Sequence, residues 1–125
     1  MPQNNSEKTV LWISRHTMTP EQMADLERIM GGPVRLLVWA DTVSSMEELR
    51  PLLEQADAVA AVLPLEKLAQ LLEMAGEKPV LQAISRRVPT GRTIQLADGR
   101  TEQEFAYVHE GWQQLLEVRV RTKRL

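Results

Sequence analysis

Two segments of this chain set serine beside arginine, Ser14-Arg15-His16-Thr17 and Ser85-Arg86-Arg87. Arginine offers phosphate a forked, permanently charged partner. A histidine next to it can bind an anion or move a proton near neutral pH. Tyr107, His109 and Trp112 form another chemically rich group, able to stack on a planar base. Each group also has a plain structural reading. Arg15 can pair with Asp41, His16 can satisfy a loop carbonyl, and the aromatic group can close a core or an interface.

The chemistry depends on the elements that hold these residues. Val10–Ile13 reads as a strand that runs into a helix at Pro20–Met30, with Thr19 and Gln22 forming a capping box and Gly31 ending the helix. Val34–Trp39 is a second strand, and Ser45 with Glu48 caps a second helix. Ala58–Leu63 is a third strand, Pro64 and Leu65 open a third helix, and Pro79–Ile84 is a fourth strand. Strands alternating with helices predict a Rossmann-like three-layer α/β sandwich with a mainly parallel sheet. Thr93–Leu96 and Glu104–Val108, joined through Asp98-Gly99, add a C-terminal β-hairpin. Trp112–Val120 ends in alternating Val118-Arg119-Val120-Arg121, a possible further strand, with Gly111–Leu116 open between helix and extended chain. One domain over residues 1–125 is expected, with residues 1–8 a flexible N-terminus.

Ligands of open α/β sheets bind beyond the carboxyl ends of the strands, where strand order reverses. For an order 2-1-3-4 that crevice lies between the first and third strands. It would gather Ser14, Arg15, His16 and Thr17, then Asp41, Pro64, Ser85, Arg86 and Arg87. The helix end at Thr19 and Gln22 would offer free N–H groups to an anion.

Composition narrows the function classes. Without cysteine the chain has no disulfide, zinc finger or thiol nucleophile. No apolar run approaches the ~20 residues of a membrane span, and no apolar signal segment opens the chain, so a cytoplasmic protein is expected. Residues 1–79 hold seven Lys/Arg against twelve Asp/Glu, and residues 80–125 hold eight against five. That uneven charge argues against duplex DNA and suits a small polyanion near the C-terminal third. Glycine-rich nucleotide fingerprints and a Walker lysine are missing, and two histidines without an acidic cluster predict no metal and no cofactor.

Several short motifs carry a resemblance. The first strand leads to a histidine and Thr19-Pro20-Glu21-Gln22, and Ala56-Asp57-Ala58-Val59-Ala60-Ala61-Val62-Leu63-Pro64 follows. Further on stand Lys78-Pro79-Val80-Leu81, Ser85-Arg86-Arg87, Asp98-Gly99 and Phe105-Ala106-Tyr107-Val108-His109. Together they resemble small Rossmann-like, CARF-related accessory proteins of type III CRISPR systems, the ring-nuclease group. The resemblance implies a homodimer that binds a cyclic oligoadenylate and cleaves it without metal, by attack of the ribose 2′-OH on its own 3′-phosphate. It further implies catalytic roles for Arg15, Arg86 and His16, with Ser14, Thr17, Thr19, Gln22, Asp41, Pro64, Ser85, Arg87, Tyr107 and His109 around the ligand. Two alternatives stay open at this point. One is a sponge or sensor that binds without cleaving; the other is a mobile-element protein that meets a partner chain through Trp112 and the basic tail.

Overall fold

The run Val10-Leu11-Trp12-Ile13 is buried on both faces of a five-stranded sheet. In the computed structural model, which describes residues 7–125, this run belongs to β1 (Lys8–Ile13). Helix α1 (Pro20–Met30), strand β2 (Val34–Trp39), helix α2 (Arg50–Gln55), strand β3 (Ala58–Ala61), helix α3 (Leu65–Ala75) and strands β4 (Val80–Gln95) and β5 (Thr101–Leu115) follow. The strand order is β2-β1-β3-β4-β5, parallel except for the antiparallel β4–β5 pair.

Alternation along β1 explains why the sheet is covered twice. Leu11 and Ile13 join Leu49 and Leu53 of the α2 region and Leu68 and Leu71 of α3 in one core. Val10 and Trp12 point the other way, to Leu26 of α1, Ala58, Ala60 and Leu81. Helices therefore lie on both faces of a mostly parallel sheet. A sheet buried in this way needs continuous apolar strands, and Ala58–Ala61 is such a run.

The helix ends follow their local chemistry. Thr19 Oγ1 accepts from Gln22 N at 3.1 Å and Gln22 Oε1 accepts from Thr19 N at 2.9 Å. Gly31, at φ 81°, closes α1 in the left-handed conformation that an L side chain resists. The Ser45/Glu48 capping box forms as expected, but the turn behind it, Met46–Leu49, is a 3₁₀ turn. Pro51 has no N–H to offer the carbonyl of Glu47, so the chain tightens there before α2 begins.

Three expectations need correction. Lys8 is no part of a flexible N-terminus: it opens β1 opposite Val34, and its N–H bonds to Pro33 O at 2.9 Å. Residues 1–6 lie outside the described residues. The third strand stops at Ala61, leaving Val62 exposed. The largest difference is at the C-terminal end. The fourth strand and the hairpin are one structure, because β4 continues for sixteen residues and β5 answers with fifteen. The segment around Trp112 is extended, within β5, and residues 116–125 adopt no regular secondary structure.

Beyond Leu81, which pairs with Ala60, β4 has no partner except β5. The β4–β5 hairpin thus continues past the carboxyl edge of the parallel strands as an arm of about 40 Å, at ~3.3 Å per residue. Register shifts at Ile84/Ser85 and Pro89/Thr93 interrupt its pairing. The tip turn falls one residue before the expected Ala97–Arg100: Gly99 N bonds to Leu96 O at 3.0 Å, and Arg100 N to Asp98 Oδ1 at 3.0 Å.

Candidate functional site

Where β1 and β3 end, the chain leaves in two directions and opens a crevice. Ser14, Arg15, His16, Asp41, Thr42, Val43, Leu63, Pro64 and Lys67 line a cavity of about 290 Å³ there. Its position is the switch point of the strand order. The Ser14–His16 loop is fixed from beneath. Ser14 is buried, its N–H reaches Trp39 O at 3.1 Å, and its hydroxyl accepts from His16 N at 3.0 Å. The Trp12 indole donates to His16 O at 2.9 Å. These bonds hold the backbone and leave the side chains of Arg15 and His16 exposed to solvent.

Charge in the crevice is open. Arg15 donates to the Thr42 hydroxyl, and Lys67 Nζ donates to Val43 O at 2.6 Å. Among the described residues neither cation forms an ion pair, and Asp41 is likewise unpaired. The Arg15–Asp41 pair that a purely structural turn would use is not made. Lys67 and Thr42 are the polar side chains of this site that the sequence does not single out. A signal for Lys67 existed: it stands three residues after Pro64, in the first turn of a helix whose start faces the same crevice.

The other candidate residues lie elsewhere. Thr17 faces a neighbouring apolar cleft with Trp12, Met18, Met23, Leu36 and Val38, across the loop from the crevice. Thr19, Gln22, Ser85, Tyr107 and His109 line a separate cavity of about 430 Å³ between the start of α1 and the base of the arm. The helix end in that cavity is not a free donor cluster. Gln22 N is taken by Thr19 Oγ1, Met23 N by Thr19 O, and Pro20 has no N–H. Arg86 and Arg87 are side chains of the arm rather than of a strand end. Arg86 Nε lies 3.2 Å from Glu110 Oε2, and the Arg87 guanidinium sits 4.0 Å from the centre of the Phe105 ring. Neither lines the crevice.

His109 and Trp112 take the structural role. His109 Nε2 lies 3.0 Å from Asp25 Oδ2, and Trp112 Nε1 donates to Gln22 O at 3.1 Å, tying β5 to α1. Hydrogen bonding from His109, and then from Arg28, holds the Asp25 carboxyl below its ordinary value. Trp112 meets Trp12 edge-on at 6.0 Å and His109 at 5.9 Å. Tyr107 remains exposed on the arm. Among the described residues no group of three or more His, Cys, Asp and Glu is placed to hold a metal ion, and no helix is long and apolar enough to cross a membrane. Comparison with protein-family models, with curated proteins and with solved structures finds no match to this chain.

Proposed function

We propose that the crevice binds a phosphate-bearing ligand of the cyclic oligoadenylate class, with Arg15 and Lys67 on the phosphate. The observation that carries this reading is the pair of unpaired cations flanking His16 at the switch point. A mostly parallel sheet with helices on both faces supports the Rossmann-like assignment, in which this crevice is the usual ligand position. Asp41 and Thr42 are suited to a sugar hydroxyl or an exocyclic amine, since a carboxylate repels the phosphate itself.

Cleavage forms the 2′-O–P bond and breaks the P–O5′ bond, the 2′-OH proton passing to solvent water. It asks for three things: the 2′-OH held in line with its phosphate, neutralisation of the charge that develops, and a proton for the leaving 5′-oxygen. Arg15 and Lys67 serve the second, and His16, solvent-exposed on a fixed loop, serves the third. Arg86 leaves the catalytic set, because its partner is Glu110. In this reading the protein, acting as a homodimer, ends a type III CRISPR signal by linearising the second messenger. The loss of Arg86 favours one second reading, in which the same crevice sequesters the ligand intact.

Incubation with labelled cyclic tri-, tetra- and hexa-adenylate in excess EDTA separates the outcomes. Linear products bearing a 2′,3′-cyclic phosphate from one ring size are expected. Intact ligand that co-elutes with the protein supports sequestration. Intact ligand without binding overturns both readings.

A further inference from the structure

β5 is the last strand of the sheet, so its outer edge carries unpaired backbone groups along Thr101–Leu115. Such an edge accepts another strand unless proline, lysine or other charges discourage it. The free edge of β4 is guarded: Pro89 lacks an N–H, and Arg86, Arg87 and Arg92 stand on that strand. β5 has no proline, lysine or arginine, and its acids are Glu102, Glu104 and Glu110. Glu110 is held by Arg86, whereas Glu102 and Glu104 form no ion pair among the described residues. These glutamates repel a second β5 and favour a basic strand.

The chain carries one segment of that kind. Val118-Arg119-Val120-Arg121-Thr122-Lys123 alternates β-branched and basic residues, the period of a strand, yet it adopts no regular structure. Arg121 and Lys123 form no ion pair among the described residues. Leu116, Glu117 and Val118 lie against Ala69, Leu72 and Glu73 of α3, which carries the chain over that face of the sheet and away from the outer edge of its own β5.

We infer that Val120–Lys123 of one copy adds as an antiparallel strand to the arm end of β5 in a second copy, and that the exchange is reciprocal. One register satisfies both faces. Arg121 falls opposite Glu104, Lys123 opposite Glu102, and Val120 beside Phe105, a β-branched residue against an aromatic one. Reciprocal exchange of identical segments closes a two-fold dimer. The contact needs no ligand; it names the interface of the homodimer in the proposed reading, and a monomeric chain would remove that dimer while ligand binding in the crevice is read by its own assay.

The test is light scattering of the full chain across the micromolar range, with circular dichroism confirming that each variant is folded. The native chain is expected to dimerise, more weakly as salt rises. Arg121→Glu with Lys123→Glu should weaken the dimer at least tenfold, and Glu102→Lys with Glu104→Lys should do the same. Mixing the two reversed variants should restore a heterodimer, because each then offers the charge that the other lacks. A monomeric native chain, a reversed variant that dimerises as well as the native one, or a mixture that stays monomeric overturns the proposal.

Discussion

Lys67 shows how a side chain with a structural duty can also be the chemical one. Its ammonium bonds to Val43 O at 2.6 Å, joining the start of α3 to the loop after β2, and it lines the crevice while doing so. Lys67→Met therefore has two expected effects: a loss of about 1–2 kcal/mol in stability, read by urea unfolding, and at least a tenfold loss of ligand affinity. Arg15→Ala separates the two, lowering affinity to a similar degree while its exposed side chain leaves the melt nearly unchanged. In the middle of α1, Asp25 ties a protonation event to folding. Its carboxyl is held below its ordinary value by hydrogen bonds from His109 and Arg28. The folded state thus favours the carboxylate, and the stability this brings is present above the unfolded pKa and lost as pH falls through the lower folded value. Unfolding followed from about pH 5 to about pH 2 should show that acid slope, and Asp25→Asn should flatten it.

The elements were legible in proportion to how much of their pattern the sheet and caps impose. The bounds of α1 follow from Thr19, Pro20, Gln22 and Gly31, since each satisfies or ends a local hydrogen-bond requirement. Thr19→Ala should cost about 1 kcal/mol, measured by thermal or denaturant unfolding. Leu71 is fully buried between α3 and the sheet, and Leu71→Ala should cost about 2–5 kcal/mol by the same measurement. The arm escaped that reasoning. Ser85-Arg86-Arg87 breaks the apolar run of Val80–Ile84, which reads as the end of a strand in a sheet covered on both faces. Once β4 passes β3, its only strand partner among the described residues is β5, and that pairing sustains a strand whose side chains are mostly exposed. That same misreading put Arg86 in the crevice. The crevice position itself was legible from strand order and from Arg15-His16, whereas Lys67 reaches the crevice from the first turn of a helix and not from a strand end.

At the scale of the whole molecule, a densely packed parallel sheet carries a sparsely packed arm. Hydrogen exchange should reflect this division: amides in β1 and β3 should persist far longer than those from Arg86 to Val108, where few apolar side chains are buried. The two regions are nevertheless joined. His109 at the base of the arm touches Trp112, Trp112 meets Trp12, and the Trp12 indole holds the carbonyl of His16 at the rim of the crevice. Indole emission responds to what the ring N–H is bonded to, so this chain of contacts makes Trp12 an optical reporter. A ligand that shifts the His16 backbone should change the colour or intensity of the protein's own fluorescence, and a titration would read occupancy of the crevice without any added label.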